Sequence, residues 1–238
     1  MRSFLTLTPL LAVLSACMPA SQAATPPAGQ QASRASPAVI ELYQSQGCSS
    51  CPPALEVLDR VARRSDVLAL NFAVTYWDQL GWKDKFASPQ YTARQWDYAR
   101  AAGRPEVATP QLIVNGRAAV LGSRQPEVEQ AIVRYARPAG EPVIAETNGQ
   151  IGIGRGRATQ AQVWVVDYDP RRIAVPIRAG ENGGRTLIHR NIVRRLTAVG
   201  TYTGSPIRVT EGARVTGLQR AVLVQAGKGG AIIAAARI

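Results

Sequence analysis

The sequence predicts an α/β domain, with a mixed central sheet flanked by helices, followed by a smaller β-rich domain built as an antiparallel sheet or sandwich. From residue 38 to 137, β-branched runs alternate with stretches of helical periodicity. Residues 138–142 (PAGEP) then break the pattern as a linker. From 143 to 238 short apolar runs are separated by Gly, Asn and Asp, the texture of an antiparallel sheet. At 238 residues, 46% hydrophobic and 18% charged, the chain is long and apolar enough to bury the cores of two such units.

In the first unit, residues 39–43 (VIELY) read as a strand. They lead into Gln46-Gly-Cys-Ser-Ser-Cys-Pro-Pro53, after which Ala54, Leu55, Val57, Leu58, Val61 and Ala62 recur at helical spacing. The paired prolines suit a first helical turn and place both cysteines at the helix N-terminus. Residues 67–74 (VLALNFAV) predict a second strand, covered on both faces. Seven of the fourteen aromatic residues crowd into 76–98, which predicts an insert (about 75–102) with its own packing, ending in a helix from Pro89 to Ala102 capped by Ser88. Two apolar runs joined by Asn115-Gly116 predict a hairpin, and residues 125–137 predict a closing helix. Beyond the linker, strands are predicted at 150–153, 161–166, 172–177, 207–210, 221–225 and 231–235.

The N-terminus reads as an export signal. Arg2 precedes an apolar run from Phe4 to Leu14 that is too short to span a bilayer. It ends in Leu14-Ser-Ala-Cys17, which resembles a lipobox, so that residues 1–17 form the signal and Cys17 carries the lipid; cleavage after Ala23 is the alternative. Residues 18–37, rich in Ala, Ser, Gln and Pro, predict a flexible tether. The protein is then expected in the bacterial cell envelope or periplasm, anchored at a membrane through Cys17.

The net charge of +12 lies mostly in the second half, where fourteen Lys and Arg face six Asp and Glu; residues 39–140 hold twelve against ten. An exported chain meets little nucleic acid, so the basic half points to an anionic membrane surface or acidic partner rather than a nucleic-acid reader, with a solvated Arg-rich surface that has no partner as the equal alternative.

With Cys17 assigned to lipid, Cys48 and Cys51 remain as a CxxC pair. A thiolate is the attacking species, and a helix N-terminus stabilises one through unpaired amides and the helix dipole. Cys48 is expected to be the more exposed sulfur and the nucleophile, with Cys51 as the resolving thiol that releases a mixed disulfide. Zinc would require more ligands than a chain with one CxxC and one histidine, His189, supplies. Copper(I) held by Cys48 and Cys51 is the alternative cargo. Otherwise no cofactor is called for beyond a redox-active Cys48–Cys51 disulfide, and the partners are protein thiols or disulfides and an envelope electron donor or acceptor.

Thr109-Pro110, just ahead of the hairpin, fits the place of the cis-proline that lies opposite the CxxC pair in thioredoxin-like folds and leaves backbone free for substrate. Thr109, Pro110, Trp77 and Trp82 are the expected substrate contacts. His189 reads as a structural histidine, with a proton-shuttle or metal role as the alternative.

The stretches 41–54 (ELYQSQGCSSCPPA), 75–95 (TYWDQLGWKDKFASPQYTARQ), 109–117 (TPQLIVNGR) and 181–194 (ENGGRTLIHRNIVR) together resemble the DUF1223 family of exported bacterial thioredoxin-like proteins. The resemblance implies a thioredoxin-like first domain and an exported compartment. Family members often carry Phe where this chain has Tyr43, and His and Asp where it has Ala73 and Thr75, so this first domain lacks a histidine.

Overall fold

The computed structural model describes residues 1, 36–157 and 160–238. The expectations for residues 2–35, the signal, Cys17 and nearly all of the tether, lie outside the described residues.

Strands β1 (Ala38–Gln44) and β2 (Val67–Ala73) are buried along their whole length and pair in parallel, Ala38 opposite Val67 through Gln44 opposite Ala73. Helix α1 (Pro52–Val61) makes the crossover between them. Helix α2 (Pro89–Ala101) begins where the Ser88 hydroxyl accepts the Gln90 amide at 3.3 Å. Strands β3 (Gln111–Val114) and β4 (Ala118–Val120) form the predicted hairpin, with Asn115 and Gly116 at φ of 48° and 64°. Position 116 also needs glycine for space, because a Cβ there would stand 2.4 Å from the Gly230 carbonyl oxygen. Helix α3 (Gln125–Arg134) closes this half.

The second half contributes β5 (Ile144–Thr147), β6 (Gln150–Ile153), β7 (Ala161–Asp169), β8 (Ile173–Pro176), β9 (Thr186–His189), β10 (Ile192–Tyr202), β11 (Ile207–Thr210), β12 (Gln219–Ala226) and β13 (Ile232–Arg237). Four of these strands do not build a separate sheet. One mixed eight-stranded sheet runs β13-β12-β7-β10-β2-β1-β3-β4, and two smaller antiparallel sheets, β11-β6-β5 and β8-β9, accompany it. The linker at 138–142 is therefore no boundary in the sheet.

The junction is β10 beside β2, in parallel, at Ile192 opposite Asn71. Asn191, at φ 50°, fixes it from both sides: its side-chain amide donates to the Ala69 carbonyl at 2.8 Å and its own carbonyl accepts the Asn71 amide at 2.9 Å. The sequence did not predict β10. Its pairing with β7 shifts register between Val193 and Arg195 and between Ala198 and Gly200, which breaks the alternation that marks a strand.

Side chains of β1 divide between two cores. Ile40 and Leu42 pack with α1, α3 and the β8–β9 hairpin, while Val39 and Tyr43 pack on the other face with Tyr91 and Tyr98 of α2. Tyr91 and Tyr98 of α2 thus belong to the central core and not to an insert with separate packing. The sheet β11-β6-β5 covers β7, β12 and β13, which is the local sandwich element of the second half. Across the halves, Arg94 of α2 grips Glu41 of β1 through two bonds of 2.8 and 2.9 Å and donates a third to Gln225 of β12 at 2.9 Å. Tyr43 and Tyr98 hydroxyls, each at 2.8 Å, complete the lone pairs of the Glu41 carboxylate, so the buried charge is fully hydrogen-bonded. No helix among the described residues is long and apolar enough to cross a membrane.

Candidate functional site

Strand β1 delivers residues 45–51 to one end of the central sheet, where the chain turns into α1. The loop is shaped by its own backbone: the Cys48 amide donates to the Ser45 carbonyl and the Cys51 amide to the Cys48 carbonyl, each at 3.2 Å. Ala54 and Leu55 amides then close on the Cys51 carbonyl at 3.0 and 3.1 Å, starting the helix. Cys51 is the residue at the N-cap, with Pro52 and Pro53 in the first turn.

Both cysteines are free thiols and both are 0% exposed, whereas Ser49 and Ser50 between them face solvent. Cys48 was expected to be the more exposed sulfur; both residues are covered. The cover of Cys48 comes from three directions. The Ser50 hydroxyl lies 3.2 Å from Cys48 Sγ, the Thr109 carbonyl is 3.7 Å away, and the Trp77 indole reaches across to donate to Thr109 Oγ1 at 2.8 Å.

The electrostatics also differ from the sequence expectation. Pro52 and Pro53 have no amide hydrogens to offer, so the helix start contributes fewer donors than an ordinary N-terminus. The Cys48 thiol is nonetheless lowered to about 6. Donation from the Cys51 thiol is the largest cause; burial opposes it, and the Ser50 and Thr109 hydroxyls and the Ser50 amide add to it. Cys51 is pushed far up, first by burial and then by its bond to Cys48.

Thr109-Pro110 is a cis peptide and stands beside Cys48, as the sequence placed it. Trp77 and Trp82 also come to this loop, on different faces of the sheet. Trp77 packs on the α2 side, and Trp82 packs on the α1 side while donating to Gln46 Oε1 at 2.9 Å. Each is half-buried and clipped by its indole N–H, which makes both of them part of the loop's frame.

Three residues of the frame were missed by the sequence reading. Asp84, buried, accepts the Gln46 and Phe86 amides at 2.9 Å each. Burial pushes its carboxyl up to about 6, against the pull of those two amides. Asn182 is fully buried and donates through Nδ2 to the carbonyls of Gln46 and Cys48, at 2.9 and 2.8 Å. Glu181 beside it accepts the Ser49 amide at 2.9 Å. The loop carrying them is held close, since a Cβ on Gly180 would meet Trp82 Cβ at 3.1 Å. Polar residues in glycine-rich turns carry no sequence signal for such distant partners, although 181–194 is one of the stretches behind the family resemblance.

His189 lies away from the cysteines, buried in β9 with an edge-on contact to Phe86 at 5.7 Å. Neither ring nitrogen has a hydrogen-bond partner among the described residues, and burial, then Lys85, lowers its pKa to about 4. Among the described residues no group of three or more His, Cys, Asp or Glu is placed to hold a metal.

Fold and site together define a class of protein: a mixed α/β sheet presenting a vicinal dithiol, one sulfur acidified by the other, opposite a cis-proline. The chain belongs to the family described as "Protein of unknown function (DUF1223)", which matches residues 39–226. It is similar to a crystal structure of protein AGR_C_4864 from Agrobacterium tumefaciens, with 34% identity and a TM-score of 0.69 over 84% of this chain and 93% of that one. A likeness in fold alone extends to HBP35 of Porphyromonas gingivalis, at 13% identity and a TM-score of 0.53, over 85% of this chain and 74% of that one. No curated protein matches the chain.

Proposed function

We propose that this protein is a thiol–disulfide oxidoreductase of the bacterial cell envelope, with a thioredoxin-like core, exported and held at the membrane through Cys17. The observation that carries the reading is the unequal setting of the two thiols: Cys48 meets the Ser50 hydroxyl at 3.2 Å and the carbonyl of the cis Thr109-Pro110 peptide at 3.7 Å and is lowered to about 6, while burial raises Cys51 at the helix N-cap. A structural pair of thiols has no need of such a division; a nucleophile and its resolving partner do.

The exchange runs in two steps. Cys48 thiolate attacks one sulfur of a substrate disulfide, the substrate S–S bond breaks, and the departing sulfur leaves as a thiolate. The mixed disulfide removes the negative charge from Cys48, and with it one of the causes that raise Cys51. Cys51 then passes its proton to the departing thiolate and attacks Cys48 Sγ, freeing the second substrate sulfur as a thiolate. The substrate gains two electrons and the protein ends as a Cys48–Cys51 disulfide. Substrate backbone lies along Thr109-Pro110, where the Thr109 carbonyl already faces the Cys48 sulfur. Because Cys48 is covered, the Ser49–Ser50 tip must lift, and the bond from the Ser49 amide to exposed Glu181 is the one most easily exchanged for water.

Equilibration of the protein in glutathione buffers of graded potential tests this reading. Cys48 and Cys51 should lose both thiols together, forming an intramolecular disulfide with a single midpoint. Thiols that stay reduced across the range, or that oxidise only between chains, would overturn it.

A further inference from the structure

A second feature adjoins the dithiol. Helix α1 and the β8–β9 hairpin enclose a groove of about 560 Å³ that begins at Pro52, the residue after Cys51, and runs along the helix to Arg63. That length, the ten residues of α1, about 15 Å, and the turn after it, is spanned by about five residues of extended chain. Leu55 and Leu187, both nearly covered, form an apolar floor, and Arg60, Arg63, Arg172 and Arg185 form the walls.

These four guanidiniums are under-neutralised. Arg63 and Arg172 share the one carboxylate of Asp59, at 3.1 and 3.3 Å, and Arg190 takes a further 3.3 Å contact with it. Arg60 stands 3.9 Å from Glu56, and both are exposed. Arg185 donates to the neutral Asn182 Oδ1 at 3.0 Å and has no carboxylate partner among the described residues. Arginines lining a concave, leucine-floored channel recognise carboxylates through paired N–H donors, and the four here outnumber the two carboxylates of the lining, Glu56 and Asp59, so the cleft concentrates negative charge.

We infer that this groove docks an acidic, extended segment of the polypeptide whose disulfide is exchanged at Cys48. The inference rests on the redox reading and adds a partner chemistry to it. The leucine floor lies inside a concavity, which an extended peptide enters and a flat anionic bilayer touches only at its rim. The direction is set as well: the groove leads away from Cys51, so the acidic stretch lies a few residues from the substrate cysteine, which itself sits at Thr109-Pro110.

Two peptides with one internal disulfide each, alike except that flanking Asp and Glu in the first are Asn and Gln in the second, test this. At low salt the wild-type protein should reduce the acidic peptide about tenfold faster than the neutral one, and the ratio should approach one at high salt. In Arg63→Glu/Arg172→Glu the ratio should fall to one or below; Arg63→Gln/Arg172→Gln, a milder change, should reduce it if the reversal unfolds the protein. Equal rates for both peptides in the wild type, or a ratio unmoved by either double variant, would overturn the inference. So would loss of binding to phosphatidylglycerol vesicles in the variants without any peptide preference, which would assign the groove to lipid. If neither peptide is reduced, the redox reading fails, and the groove is judged by fluorescence anisotropy of a cysteine-free acidic peptide on the Cys48→Ser protein. Salt-sensitive binding that the arginine variants abolish sustains an acidic ligand there; its absence ends the proposal.

Discussion

Asn182 donates its side-chain amide to the carbonyl of Cys48 at 2.8 Å, although 134 residues separate them. One turn in the second half of the chain thereby holds the cysteine-bearing loop of the first.

Removing that amide leaves the buried Gln46 carbonyl without its donor and the Cys48 carbonyl with the Cys51 amide alone. Asn182→Ala should cost about 1–3 kcal/mol in urea unfolding. It should also speed alkylation of Cys48 in the folded protein by loosening the loop. Glu181→Gln, at an exposed position, should leave the unfolding midpoint in place. Equal alkylation rates in Asn182→Ala and wild type would show that the turn does not hold the loop.

The acidity of Cys48 should depend on its neighbour before anything else. Donation from Cys51 is the largest cause of the shift to about 6, so Cys51→Ala should carry Cys48 toward the ordinary thiol value of about 8.5. Cys51→Ser keeps a donor and should move it less. Thiolate absorbance against pH reads both; a Cys51→Ala protein still titrating near 6 would transfer the effect to Ser50 and Thr109.

Asp84 and His189 should oppose each other between pH 4 and 6.5. Folding raises Asp84 to about 6, so the native protein keeps a proton that the unfolded chain sheds near 4. Its contribution is full below about 4 and is lost as pH rises through 6. His189 is lowered to about 4 from an ordinary 6.5, so its contribution is full above 6.5 and is lost as pH falls through 4. Each amounts to about 3 kcal/mol. Asp59, Asp66 and Asp169 are lowered, so their titration falls below this window. Urea unfolding should therefore show little pH slope from this pair in the wild type. Asp84→Asn should become more stable with rising pH across the window, and His189→Leu less stable. Parallel profiles in all three proteins would refute the opposition.

What the sequence made legible was local. The CxxC before paired prolines, the Asn115-Gly116 turn and Pro110 ahead of a strand each state their geometry within a few residues, and the structure places them as read. Helix α2 was legible too, but its aromatic residues were assigned to an insert because nothing local says that Tyr91 and Tyr98 meet Tyr43 and Phe72 across the sheet. Strand β10 was lost to its own register shifts, and with it the continuity of the eight-stranded sheet. Asp84, Glu181 and Asn182 were invisible for a further reason: their work is done chiefly on backbone groups of residues 46–49, and a backbone donor or acceptor leaves no mark on the sequence. The cover over Cys48 was hidden likewise, because Thr109 and Trp77 come to it from elsewhere in the chain.

The central claim is that Cys48 attacks disulfides and Cys51 resolves the product. It is tested most directly by exposing the Cys51→Ser protein to a disulfide-bonded peptide and measuring intact mass with peptide mapping. The account predicts one peptide adduct at Cys48, stable until a reductant is added, and none at that site in Cys48→Ser. A Cys51→Ser protein whose Cys48 is alkylated readily yet gains no adduct would contradict it.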